Sequence, residues 1–386
     1  MRQKGPNQGM IRLVAGLLGM LALLVSCGHP VANGPVKSLS ESSKAPPPTK
    51  STRTGPTTSP AVTAVTTGAA FTPHVGFQPQ SVAFWNSRQG ILAGLNCDAR
   101  GACAGEIRTT ADGGRTWRDR FQVGFGLNFT SADVVGSTYG WVAVSLNECQ
   151  SPNQADCRRV LERTADGGRT WQTVNFTDQF GDPSFVTPSL GWAAASSGFT
   201  SKLAPAGTLL TTNGGRTWHS RPGPADCQGR GWYLRALSFP TAAQGYALCD
   251  GQATGGSQDK AVFTTADGGK TWTRRAHALS LGGEGGDSGI SINGYPAGIF
   301  FLPDGHGWIW QSRGNLLAST DGGATWWESH LTDPGNNVEA RSVWFLSDQS
   351  GFVLLAGFSQ AKSQPTYRLV ATRDGGRIWT TVHTWP

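Results

Sequence analysis

The sequence is short of what most chemistries require. No apolar run is long enough to cross a bilayer as a helix: the stretch from Leu13 to Val25 has 13 residues, where about 20 are needed. The seven cysteines (27, 97, 103, 149, 157, 227 and 249) contain no CxxC pair, which removes the spacing of zinc-ribbon and dithiol redox sites. Histidines form no cluster, and neither a Ser–His–Asp order nor a glycine-rich phosphate loop stands out. No catalytic residue, metal or cofactor is therefore expected. Large apolar residues are almost missing from Gly28 to about Ala70, where Pro, Ser, Thr and Gly surround Ala45-Pro46-Pro47-Pro48. Such a segment buries too little surface to offset its chain entropy. Its roughly 40 residues give a mean reach on the order of 35 Å. Basic excess is missing too, once the formal charge of +7 is divided. Residues 1–70 hold seven Lys/Arg against the single acid Glu41, whereas residues 71–386 hold 25 Lys/Arg and 24 Asp/Glu. A near-neutral domain of that kind gives no reason to expect nucleic acid as a partner.

What the sequence has in abundance is one motif. Thr109-Thr110-Ala111-Asp112-Gly113-Gly114-Arg115-Thr116-Trp117 recurs five more times, with its Asp (once Asn) at 112, 166, 213, 267, 321 and 374. Steps of 54, 47, 54, 54 and 53 residues mark a repeat architecture. Each period carries two earlier landmarks. An apolar residue (Phe84, Val134, Phe185, Phe239, Phe301, Phe345) is followed six residues later by Gly and a bulky residue. Those pairs are Gly90-Ile91, Gly140-Trp141, Gly191-Trp192, Gly245-Tyr246, Gly307-Trp308 and Gly351-Phe352. Short β-branched and aromatic runs bounded by Gly, Asp and Ser are strands, and four per period make a propeller blade. The expectation is an all-β chain with a single β-propeller of six four-stranded blades, seven being possible if residues 71–78 begin another.

The Asp-Gly-Gly turns resemble the Asp-box, or BNR repeat, of sialidases and related propellers, with Asn213 and Ile378 as departures. The resemblance implies a structural role between strands 3 and 4, away from the ligand face. It covers Asp112 and Trp117, Asp166 and Trp171, Asn213 and Trp218, Asp267 and Trp272, Asp321 and Trp326, and Asp374 and Trp379. The Arg-Ile-Pro motif of sialidases is absent, and none of the five tyrosines forms an obvious pair with a Glu. Repeats of this kind after a Gly-Trp strand look like the photosystem II stability/assembly factor family, propellers that hold client proteins. Leu24-Val25-Ser26-Cys27 resembles the bacterial lipobox, which implies lipidation at Cys27. The expected organisation is a signal peptide over 1–26, a lipidated tether over 27–76 and the propeller over 77–386. The address is the extracytoplasmic side of a bacterial membrane.

In a four-stranded meander the 1–2 and 3–4 turns share one face, and the 2–3 loops and inter-blade links share the other. The first face is constant in length here. The second varies: from the landmark Gly to the Asp the distances are 22, 26, 22, 22, 14 and 23 residues. Six cysteines fall there, and local spacing suggests the pairs 97–103, 149–157 and 227–249. Varied loops on a rigid scaffold are where function usually sits. Candidate binding residues on that face are Trp232, Tyr233, Arg158, Arg159, Trp310 and Arg313. Glu284 and Asp287 lack the spacing of an EF-hand. The function expected is a membrane-tethered, monomeric recognition or assembly module for a protein client. The alternative is a carbohydrate-binding or sialidase-like glycosidase, for which Glu106, Glu148 and Glu284 are carboxylates without an assigned partner.

Overall fold

A computed structural model describes residues 76–98, 103–125, 127–146, 159–176, 180–195, 207–227, 231–279, 288–329, 331, 338–358 and 365–385. The expected signal peptide, Cys27, the tether up to 75, Cys149, Cys157, Arg158, Glu148, Glu284 and Asp287 lie outside them. The described residues form six antiparallel four-stranded sheets, each in sequential strand order. The first blade is β1–β4 (Phe77–Phe84, Gly90–Cys97, Cys103–Thr110, Arg118–Phe125) and the second β5–β8 (Leu127–Val135, Tyr139–Leu146, Arg159–Thr164, Gln172–Phe176). The third is β9–β12 (Phe180–Phe185, Gly191–Ala195, Thr208–Thr211, His219–Arg221) and the fourth β13–β16 (Tyr233–Ser238, Gly245–Thr254, Ser257–Thr265, Thr273–Ala278). The fifth is β17–β20 (Pro296–Phe301, Gly307–Gln311, Leu316–Ser319, Trp327–Ser329) and the sixth β21–β24 (Val338–Phe345, Gly351–Gly357, Thr366–Thr372, Thr380–Trp385). Every blade draws all four strands from one repeat. The ring closes by packing of β21 and β22 against β1 rather than by strand exchange.

The landmark residues are the contacts between blades. The bulky residue after each landmark Gly stacks on the landmark Phe of the next blade: Trp141 on Phe185 at 3.7 Å, Trp192 on Phe239 at 4.1 Å, Tyr246 on Phe301 at 3.5 Å and Trp308 on Phe345 at 3.5 Å. Phe352 on Phe84 at 3.8 Å joins the last blade to the first. Ile91 and Val134 are the aliphatic version, buried in one cluster. In five blades the Asp-box Trp meets the landmark Phe edge-on, as Trp326 does Phe301 at 5.8 Å. The landmark Gly follows from this packing. A Cβ on Gly245 would lie 2.4 Å from the Phe239 ring, and one on Gly307 2.2 Å from Phe301.

Inner strands add a ring of polar bonds around the axis. The Ala132 N–H donates to Ser81 Oγ, Phe185 N–H to Asp133 Oδ2, Phe239 N–H to Ser184 Oγ and Phe301 N–H to Ser238 Oγ. The Val82 N–H donates to Ser342 Oγ, and the Trp344 indole N–H to the Phe84 carbonyl, closing the circle. In the fifth blade Phe300 stands where the second, third and fourth place Asp133, Ser184 and Ser238. It meets Trp344 through its ring instead, at 5.2 Å.

Candidate recognition face

The Asp-box turns build the constant face. In the first blade the Thr110 hydroxyl donates to Asp112 Oδ1 at 2.8 Å, and the Thr116 N–H and hydroxyl donate to Oδ1 and Oδ2 at 2.9 and 2.6 Å. Burial alone would push the Asp112 carboxyl up, but those bonds and the Arg115 amide outweigh it and hold it at about 2. Gly113 and Gly114 take φ of 76° and 87°, where a side chain would be strained. The Gly113 N–H donates to the Arg88 carbonyl at 2.8 Å. That bond ties the 3–4 turn to the 1–2 turn, so the two lie together on one face, as expected. Asn213 replaces the carboxylate without losing the turn: Oδ1 accepts the Thr217 N–H, and Nδ2 donates to the Thr217 hydroxyl at 2.7 Å.

The opposite face is where the blades differ. Cys97–Cys103 closes the β2–β3 hairpin, and Cys227–Cys249 ties the link between the third and fourth blades to β14. Both pairs are those that spacing suggested. The link between the fourth and fifth blades is pinned by Lys260, which is fully buried on β15. Its Nζ lies 2.9 to 3.1 Å from the carbonyls of Gln258, Ser291, Ile292 and Gly294. Burial lowers this ammonium to about 8, against the pull of Asp259 and Asp250. Four carbonyl acceptors supply the dipoles that keep a buried cation tolerable.

Inner strands are irregular at one repeated place. The pairing with the second strand skips Gln80, Thr130, Arg235, Ala297 and Arg341. Each lies ten residues before its landmark Gly, toward the variable face. A bulge re-aims the side chain it carries, and in the fourth and sixth blades that side chain is arginine. Arg235 Nε donates to Asp250 Oδ2 at 3.0 Å, and its Nη2 also reaches that oxygen. Arg341 lies 3.5 Å from Glu339 and 5.9 Å from the Phe358 ring, and it lines the axial channel. Beside the two arginines stand exposed aromatics on three successive blades: Tyr233 (48% exposed) opens β13, Tyr295 (42%) precedes β17 and Phe358 (41%) follows β22.

The sequence candidates divide. Tyr233 is exposed at the start of β13, whereas Trp232 packs into the fourth blade against Gly251, where a Cβ would meet its ring at 2.9 Å. Trp310 lies over Gly298 and lines the channel. Arg313, in the short β18–β19 connection with φ of 67°, rests on Gly256 of the neighbouring blade. Arg159 opens β7. Glu106 is away from the channel: it sits buried on β3, accepting from Asn96 Nδ2 and Arg108 Nε at 3.2 and 2.8 Å. Arg235, Arg341, Tyr295 and Phe358 were not singled out from sequence. The position ten before the landmark Gly was the available signal for the arginines.

The channel itself has a volume of about 360 Å³ and is walled by the inner strands of all six blades. Its buried carboxylate is Asp133, which burial pushes up to about 7 despite bonds from the Phe185 and Val134 amides. Both oxygens are committed, Oδ1 to the Val134 N–H at 2.8 Å and Oδ2 to the Phe185 N–H at 2.5 Å. Asp133 therefore serves as an inter-blade acceptor, the part played by Ser184 and Ser238 in the next two blades.

No protein-family model matches the chain, and no curated protein matches it in sequence. Solved structures do. A GH93 α-L-arabinofuranosidase of Fusarium graminearum, in complex with arabinobiose, is 13% identical with a TM-score of 0.53, covering 77% of this chain and 95% of that one. A protein of unknown function from Dyadobacter fermentans is 15% identical with a TM-score of 0.52, covering 78% and 96%. YCF48 from Cyanidioschyzon merolae is 17% identical with a TM-score of 0.44, covering 80% and 86%. At such identities the likeness is one of fold. With the six blades and their turns, it makes this chain a six-bladed Asp-box β-propeller.

Proposed function

We propose that this protein is an exported, lipid-anchored recognition module that holds an extended segment of a protein client on the variable-loop face of its propeller. The observation that carries the proposal is the row of exposed aromatics Tyr233, Tyr295 and Phe358 on three successive blades, with Arg235 and Arg341 on inner-strand bulges beside them. Aromatic and arginine side chains are the usual anchors of protein interfaces. The scaffold beneath them is fixed by stacked rings and by Lys260, so little order has to be gained on binding. Lipidation at Cys27 and the tether over 27–76 would place that face in reach of membrane-associated clients. The test is a pull-down from solubilised membranes with wild type and a Tyr233→Ala/Tyr295→Ala/Phe358→Ala variant. Loss of the recovered partner at unchanged melting temperature supports the proposal. Full recovery by the triple variant removes it.

A further inference from the structure

The groove between the fifth and sixth blades, on the Asp-box face, breaks the repeat's own pattern four times. Its volume is about 470 Å³, close to the 490 Å³ of the groove between the first and second blades. The chemistry of the two differs. Arg118, Arg120 and Arg169 line the first–second groove. Three residues after the Asp-box Trp, the first, third and fourth blades carry Arg120, Arg221 and Arg275. Arg275 crosses to the next blade and donates to the Asp321 carbonyl at 3.0 Å. In the fifth blade that residue is Ser329, whose short side chain donates to the Gly376 carbonyl and leaves the space open.

Of the other three departures, Trp327 and Trp308 line the same space, and the third is at Asp374, which lines both this groove and the neighbouring one that holds Ile378. Directly after the Asp-box Trp, the other blades have Arg118, Gln172, His219, Thr273 and Thr380, but the fifth has Trp327, 47% exposed. In Asp112, Asp166, Asp267 and Asp321 the second carboxylate oxygen accepts a Thr hydroxyl. Ile378 has no hydroxyl, and the Thr372, Arg377 and Ile378 donors all reach Asp374 Oδ1. Asp374 Oδ2 is thus left without a partner among the described residues. Trp141 and Trp192 donate their indole N–H groups to the Gly214 and Gly268 carbonyls of the following blade. The equivalent Trp308 lines the groove, only 2% exposed, and its N–H has no partner.

A flat exposed indole, an open acceptor and an unpaired donor together select the ligand. A small cation would pair with Glu328, Asp348 and Asp374 but leave the Trp308 N–H unmet. A phosphate or carboxylate would meet Arg377 and His306 but also three carboxylates, Glu328, Asp348 and Asp374. Hydroxyl groups both donate and accept, and the apolar face of a pyranose ring stacks on indole. We propose that this groove binds a neutral pyranose sugar, with Trp327 as its platform and Asp374, Glu328 and Trp308 as hydrogen-bonding groups. The site is separate from the client face, and either can fail without the other.

The experiment titrates D-glucose, D-galactose, D-mannose and N-acetyl-D-glucosamine by saturation-transfer NMR and tryptophan fluorescence. The proteins are wild type, Trp327→Ala, Trp327→Phe, Asp374→Asn and Tyr295→Ala. Saturable binding of at least one sugar is expected. Trp327→Ala should weaken it roughly five- to tenfold, the worth of one aromatic contact, at unchanged melting temperature. Trp327→Phe should retain most of it, Asp374→Asn should weaken it, and Tyr295→Ala should leave it alone. The proposal is overturned if none of the four sugars saturates, if Trp327→Ala binds like wild type, or if choline binds in their place.

Discussion

At the scale of single residues, the repeat works because each position has one physical duty, and exceptions show what the duty is. Asp133 does with a carboxylate what Ser184 and Ser238 do with a hydroxyl, and its burial pushes it up to about 7. An unfolded Asp titrates near ~3.9, so the folded state holds this proton more tightly. The resulting stabilisation is complete below the unfolded value and is lost as pH rises through about 7. Glu162, which burial also raises to about 7 against its bond from the Thr173 hydroxyl, acts with the same sign. Asp133→Ser should therefore raise the melting temperature at about pH 8 relative to wild type and remove part of the decline between about pH 4 and about pH 7. The rest belongs to Glu162. An unchanged pH slope in thermal melts contradicts this assignment. The Asp-box carboxyls behave oppositely: held near 2, as Asp112, Asp166 and Asp321 are, they contribute above the unfolded value and fail only in strong acid.

At the scale of the blade, the stacked pair across each junction is the structural unit. Phe301 is 2% exposed, lies flat on Tyr246 and meets Trp326 edge-on. Phe301→Ala should cost about 3–5 kcal/mol, as buried Phe truncations do. Gly245→Ala should cost about 1–3 kcal/mol by overpacking against Phe239. Urea unfolding measures both, and a cost well under about 1 kcal/mol for Phe301→Ala would refute the ladder. The landmark spacing was legible because it recurs at a fixed offset. That the Gly makes room for a ring six residues earlier was not, since it depends on strand pairing. The bulges were hidden for the same reason: a skipped residue leaves no mark on composition, so Arg235 and Arg341 read as ordinary strand residues. Lys260 gave no sign either, because three of its four carbonyl partners come from a link over 30 residues downstream. The disulfides 97–103 and 227–249 could be read because cysteines in varied loops have few other partners.

For the whole molecule, the constant face holds the ring together and the variable face differs from blade to blade, and the proposed anchor adds a position in space. Cys27→Ser should release the protein from the membrane fraction and remove the lipid from its intact mass. A variant that stays membrane-bound would contradict lipidation at that thiol. The central claim concerns the face that meets the client. The direct measurement places a photo-crosslinking amino acid at Tyr295, on the variable face, or at Arg169, in an Asp-box turn, in otherwise native protein in intact cells. Discrete protein adducts from position 295, and none from position 169, are the predicted result. Adducts from position 169 alone would show that the client is held on the face assigned here to the scaffold.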